Sequence, residues 1–483
     1  MSSPHTAAGD ADFGLADLFF SATDRKGFIR SANAVFTRVS GYAPDEWLGA
    51  AHKLVRHDEM PRAVFRVLWD SLDHGRPVAA YVKNRTKDGR HYWVLALAFP
   101  IGEELFSLRL KPTAGLLPTV DALYRSLLAE ERAIEATDAR SAAIEASMHS
   151  LDRALAGLGY ATYEQFMMRA LPAEVSARFA GLGSDAGRLF VTPRSAALRG
   201  PHALCASGLA QLVRLSARLE NFEELAASYR RANVELAELA DEVSMFALNA
   251  GLAAARAGAR SEVLGAIARL MRASAHDVAT EVERLNELLA RSTTHIRSLA
   301  FAIGRSSLAL EVVGQFLAEL DDRSETFDRS RHDADALIGS TAEQMEAAAA
   351  LFDGLPTMLG TLHASLRRGL SHLRSLRILR IRAEVDSAGD DAADSFAEIV
   401  ARIEEHLVHG LGRLEQLRKD TRAMYDIDAG AQARELRGRS GDLRRHRLVE
   451  PWAVAASPGS HDVGAPASEP GEPSGFDVLT VLA

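Results

Sequence analysis

The sequence predicts an α+β N-terminal domain, a five-stranded antiparallel sheet with helices, followed by a mainly α, coiled-coil antiparallel hairpin or helical bundle. Three observations predict it. Three of the four tryptophans, Trp47, Trp69 and Trp93, fall with several short β-like runs inside residues 12–112. No proline lies between Pro201 and Pro356, and apolar positions there step by three and four. Aromatic residues are only 6% of the 483, while Ala, Leu, Arg and Glu abound, which favours long helices over sandwiches or barrels.

Within residues 12–112, Leu18–Asp24 and Phe28–Asn33 read as strands joined by the turn Arg25–Gly27. A helical middle, Ala34–Leu72, follows. Val78–Arg85 and His91–Phe99 flank the turn Lys87–Gly89, and Glu104–Leu110 supplies the last strand. A β-β-α-β-β-β order buries its apolar surface when one antiparallel sheet carries helices on one face. Residues 119–182 read as a helical linker with one continuous helix over Val120–Leu155, a break at Gly157–Tyr160, and a second helix limited by Pro172.

Residues 183–203 are rich in Gly, Ser and Pro and read as an irregular loop. Residues 204–355 read as a coiled-coil hairpin. One seam is Phe222, Leu225, Tyr229, Ala232, Leu236, Leu239, Val243, Phe246 and Ala250, and the small residues that follow place the tip near 250–261. The seam resumes at Leu264, Ile267, Met271, Val278, Leu285, Leu288 and Leu299, interrupted by the polar Ser274, Glu281, Ser292 and His295. One hairpin buries its stripe poorly alone, so hairpins of this kind pair into four-helix bundles. Residues 357–425 read as C-terminal helices and 451–483 as a disordered tail.

The formal net charge of -9 argues against nucleic acid as a partner. The one cysteine, Cys205, excludes an intrachain disulfide and a cysteine zinc cluster; it sits in an apolar helical stretch and reads as core. The leading residues lack the pattern of a signal peptide, and no run of about 18 apolar residues occurs, so a cytoplasmic location without membrane insertion is expected. Hydrolase, kinase and P-loop motifs are missing, so no enzyme and no catalytic residue is expected. The acidic Asp386, Asp390 and Asp391 lack calcium-loop spacing and read as a solvated turn, and no metal site is expected.

The run from Phe19 to Leu72, FFSATDRKGFIRSANAVFTRVSGY…LVRHDEMPRAVFRVLWDSL, together with VKNRTKDGRHYWV, resembles the PAS domain of the bacterial aerotaxis receptor family. That resemblance implies a PAS fold binding FAD non-covalently, with the flavin's redox state setting the signal. The positions matching the family's flavin motifs are Asn33, Arg56, His57, Trp69 and Asn84, and Glu59 stands where the family has aspartate. A planar aromatic with a polar rim needs apolar walls and a few fixed polar groups, which these residue types supply. Haem is the alternative cofactor; a PAS domain that binds nothing and serves dimerisation is a further one.

MFALNAGLAAARAG, Met245–Gly258, resembles the tip of the methyl-accepting chemotaxis protein signalling domain. The matching contact residues are Leu248, Asn249 and Arg256, and the resemblance implies docking of the kinase CheA and the adaptor CheW. Ala253 replaces the family glutamate and Asp241 an upstream apolar contact. Gly339–Ala348 fits the family's methylation pattern, with Glu343 and Gln344 as the modified pair, and Arg382–Ile403 is a degenerate echo of the tip that implies a second hairpin-like unit. Together these imply a homodimeric cytoplasmic transducer of redox or energy state. The alternative is a ligand-free PAS scaffold whose altered tip binds another partner.

Overall fold

The computed structural model describes residues 11, 13–183, 189, 192–193, 196–257, 262–319, 327–387, 393–425 and 428–446. The expected tail 451–483, residues 258–261 of the expected tip, Asp390, Asp391 and most of 183–195 lie outside them, as does the side chain of Arg256.

Strands β1 (Phe19–Asp24), β2 (Ile29–Ala32), β3 (Val78–Arg85), β4 (His91–Ile101) and β5 (Glu104–Leu110) form one antiparallel sheet in the order β2-β1-β5-β4-β3. The expected α+β domain is therefore present. Gly27 and Gly89 adopt φ of 80° and 89°, which is why the two short turns end in glycine. Strands β2 and β3 lie on opposite edges, so the chain between them must cross the sheet. It does so as α1 (Ala34–Ser40), α2 (Pro44–Trp47), a short 3-10 turn (His52–Val55) and α3 (Arg62–Asp73).

Side chains alternate across a strand. One face presents Ser21, Thr23, Val82, Asn84, Ala96, Ala98, Ser107 and Arg109 toward the crossing segment. The other face carries Phe20, Phe99 and Phe106, and it packs on helices from further along the chain. Phe316 meets Phe20 at 4.9 Å between ring centres, and Arg305 stacks over Phe99 at 4.1 Å.

Downstream, α4 (Leu117–Glu135) and α5 (Arg140–Gly157) replace the expected continuous helix, and α6 (Tyr163–Leu182) follows the break expected at Gly157–Tyr160. The break falls at residues 136–139, where Asp138 bonds its own neighbour's amide; α4 and α5 then fold back on each other and bury Leu127, Leu128, Leu151 and Leu155. Local helix propensity runs through the break, and the burial of two apolar stripes overrides it. Pro172 lies inside α6 instead of limiting it, held between the fully buried Leu171 and Val175.

Four long helices follow: α7 (Ala196–Ala257), α8 (Glu262–Glu319), α9 (Phe327–Ser387) and α10 (Ala393–Tyr425), then α11 (Ala429–Arg445). Helix α7 begins inside the expected loop 183–203 and carries Pro201, beside the buried His202 and Cys205. Helix α8 ends at Glu319, so the first hairpin is shorter than 204–355; α9 runs through Pro356, and the expected boundary at 357 is internal to a helix. A proline removes one backbone bond, which packing of the flanking turns offsets.

The described residues fall into two compact units. One holds the sheet, α4–α6, the stretch Ala300–Glu346 and α11 from Arg437; the other holds Ala217–Leu299 and Ala347–Leu436. In the second unit α7 pairs with α8 through Asn233 and Asn286 (2.7 Å), and α8 with α9 through Glu281 and Arg368 (3.0 Å). Helix α9 pairs with α10 through Arg377 and Glu404 (2.9 Å), and α10 returns to α7 through Glu242 and His406 (2.7 Å). The four-helix bundle thus closes within one chain, the second hairpin supplying the surface that the first one needs. The expected seam from Leu225 to Phe246 and from Ile267 to Leu285 is buried, and the polar seam residue Glu281 is satisfied by Arg368 and Ser365.

Candidate functional site

Between the sheet and the crossing segment lies a cavity of about 100 Å³. Helix α3 places Phe65, Leu68, Trp69 and Leu72 on one stripe at i, i+3, i+4 and i+7, and that stripe is the cavity wall. Val82, Ala96, Ala98 and Leu105 add apolar surface from the strands. Lys53, Arg56 and Arg109 supply three cationic side chains, and none of the lining residues is a carboxylate.

Arg109, on β5, is 4% exposed. Its Nη2 donates to Ser21 Oγ (2.9 Å) and to His52 Nε2 (2.6 Å), while its Nη1 has no hydrogen-bond partner among the described residues. Burial pulls the guanidinium down to about 10. Since a guanidinium only donates, His52 accepts at Nε2 and is neutral, its proton on Nδ1. Burial, then the charge of Arg109, depresses His52 to about 3. Arg56 stacks over Phe65 at 4.0 Å and donates to the Met60 carbonyl at 3.2 Å; burial, then Arg62, lowers it to about 10.

Of the six positions singled out in the sequence, Arg56, Trp69 and Asn84 line this cavity. Asn84 is buried and bonds the Tyr92 hydroxyl through its side chain. Asn33 stands elsewhere: it caps α1 through Phe36 N (3.1 Å), takes Phe20 N (3.0 Å) and donates to the Leu18 carbonyl (2.8 Å), tying the helix to β1. His57 and Glu59 lie on the turn before α3, outside the cavity lining. Glu59 pairs with Lys83, which holds its carboxyl below the usual range, and burial followed by Lys83 lowers His57.

Ser21, His52, Phe65, Ser107 and Arg109 were not singled out from the sequence. Their signal was the period of two in Leu105-Ser107-Arg109 and of four in Phe65-Trp69, but both patterns fit an ordinary strand and an ordinary core helix equally well.

Residues 29–109 match the family model described as PAS fold. These residues form a PAS domain. A stretch of 120 residues is 41% identical to the aerotaxis receptor of Escherichia coli (strain K12), covering 23% of this chain and 24% of the receptor. The PAS domain is of the aerotaxis-receptor kind, and the chain spans about a quarter of that relative's length. Solved structures that it resembles include an RNA-binding Light-Oxygen-Voltage receptor, 18% identical over 24% of this chain and 33% of that one, with a TM-score of 0.19. Others are the RsLOV d2 variant (18%, 29% and 87%, 0.20) and the Erythrobacter litoralis EL346 blue-light activated histidine kinase (11%, 36% and 56%, 0.21).

The tip residues Leu248 and Asn249 are exposed on α7, where Met245, Leu248 and Leu252 leave an apolar stripe. Glu343 is exposed and Gln344 half-buried on α9, in the unit that carries the PAS domain. Burial pushes the Cys205 thiol up to about 12. Among the described residues no cluster suits a metal ion and no helix is long and apolar enough to cross a membrane.

Proposed function

We propose that the chain is a non-enzymatic signal transducer whose PAS cavity holds FAD and reports redox or energy state to the helices around it. One observation carries this reading: an apolar cavity that bears three cations, no carboxylate and one unsatisfied guanidinium nitrogen. Such a lining suits a flat, largely apolar ligand with an electron-rich polar edge. Arg56, Trp69, Asn84 and Arg109 are the residues that would hold it, with the α3 stripe as wall. A bound flavin supplies reversible uptake of electrons. The haem alternative is disfavoured because His52, the one histidine of the lining, already spends Nε2 on Arg109.

Support for the relay lies on the sheet's other face. Tyr81 donates to the buried Glu174 of α6 at 2.7 Å, and Glu174 also takes the amides of Thr113 and Ala114 just after β5. A change of charge in the cavity thus reaches α6 through β3 and through the strand that carries Arg109. In this reading the protein works in the cytoplasm as a homodimer, and the exposed stripe of Met245, Leu248 and Leu252 docks CheW and CheA.

The test is the absorption spectrum of the purified chain after incubation with FAD, before and after dithionite. Flavin bands that stay with the protein and bleach on reduction are expected. A blank spectrum overturns the reading and favours the ligand-free scaffold. Co-purification of CheW tests the partner.

A further inference from the structure

We propose that Arg109 is the counter-charge of this cavity, making it hold a reduced flavin more tightly than an oxidised one. This rests on the flavin reading above. The contrast with the buried Arg178 is the starting point. Arg178 is buried against two carboxylate oxygens of Glu311 and two backbone carbonyls. Arg109, also buried at 4% exposed, has one serine hydroxyl, one neutral imidazole and an unsatisfied Nη1.

A buried cation without an anion is costly, and an apolar side chain of similar size on β5 would avoid the cost. The groups around Arg109 do not relieve it. Ser21 on β1 is neutral. His52 is neutral, and Tyr92 on β4, whose hydroxyl burial pushes up, is neutral too. Phe36 on α1 presents only a ring, at 6.0 Å. Lys53 and Arg56 add like charge to the same lining. The positive charge therefore awaits a negative one from the ligand.

Two electrons and one proton entering an isoalloxazine leave one net negative charge; the electrons come from an external donor, dithionite or a reduced dye in the test. Arg109 then has its anion, and Nη1 its acceptor. His52 cannot take over this role, since it stays uncharged across the neutral range. The polarity of the effect is set: removing Arg109 penalises the reduced state.

The experiment measures flavin affinity in both redox states, and the midpoint potential by dye equilibration, for the wild-type chain, Arg109→Gln and Arg109→Lys. A charge-assisted hydrogen bond in a buried site corresponds to about ten- to a hundredfold in affinity. Arg109→Gln is expected to lose that factor for reduced flavin, with a much smaller loss for the oxidised form and a lower midpoint potential; Arg109→Lys restores part of both. Arg109→Met gives an independent reading in melting experiments: without flavin it melts above the wild type, and added reduced flavin raises its Tm less. Equal losses in both redox states, or an unchanged potential with flavin bound, overturn this inference alone. A wild-type chain that takes up no flavin overturns it together with the proposed function.

Discussion

Arg178 on α6 and Glu311 on α8 form a bidentate ion pair at 2.6 and 2.7 Å, with both side chains fully buried. The same guanidinium donates to the carbonyls of Leu15 (2.7 Å) and Ala16 (3.2 Å), just ahead of β1. One residue thus fastens the start of the PAS sheet, α6 and α8 together. Removing either partner strands the other charge. Glu311→Gln and Arg178→Gln should each cost about 3–5 kcal/mol in chemical denaturation. The double change Arg178→Met with Glu311→Leu should cost clearly less than the two singles summed. A strictly additive double variant would show that the pair is not coupled.

Glu131 of α4 caps α3 from outside. Its carboxylate takes the amides of Arg62 (2.9 Å) and Ala63 (3.0 Å), where the N-cap position is Pro61 and offers no side-chain cap. Glu131→Ala should destabilise the domain by about 1–2 kcal/mol. Because α3 carries Phe65 and Trp69, the variant should also weaken flavin uptake, read by equilibrium titration, whereas a change at the far end of α4 should not.

Asp333 of α9 is 1% exposed, beside Arg329 at 3.0 Å. Burial, with help from Glu104, pushes its carboxyl up from 3.8 to about 6; Arg329, Ser31 and His332 oppose the rise. A carboxyl whose folded value is raised binds its proton more tightly when folded. Stability therefore falls as pH rises from about 4 to about 6, by on the order of 3 kcal/mol, and stays lowered above that window. Asp333→Asn should flatten this slope and melt higher than the wild type at neutral pH. Melting curves at mildly acidic and neutral pH decide it.

Gly410 lies where α10 meets α7. A Cβ there would sit 3.2 Å from Leu236 Cδ2 and 3.5 Å from Leu373 Cδ1. Gly410→Val should cost about 1–3 kcal/mol by overpacking. Gly412, two residues on, has nothing within 4 Å of such a Cβ, so Gly412→Ala should be nearly silent or mildly stabilising. Equal effects at the two sites would argue against the closed bundle.

The strands were legible residue by residue. Leu18–Asp24, Val78–Arg85 and Glu104–Leu110 carry β-branched and aromatic residues between turns that end in Gly27 and Gly89, and those signals are local. So was the α7 seam, since period 3.5 over several heptads has one economical burial. A small part of the cavity was legible as well: Arg56, Trp69 and Asn84 stood in motifs. Arg109 was not, because a charged residue between Leu108 and Leu110 reads as the solvent side of a strand until α3 covers it.

By itself, then, the sequence determined the element types, the strand turns and the heptad faces, because backbone sterics and apolar periodicity act over a few residues; the kind of PAS domain was legible only through the resemblance of its motifs to a known family. The tertiary structure alone decided that α4 turns back before α5, that Pro172 and Pro356 stay inside helices, that the second hairpin closes the bundle and that Arg109 faces a cavity without an anion. Each depends on which distant surface is buried against it, and burial between residues far apart in the chain outweighs the fraction of a kcal/mol that local propensity contributes per residue.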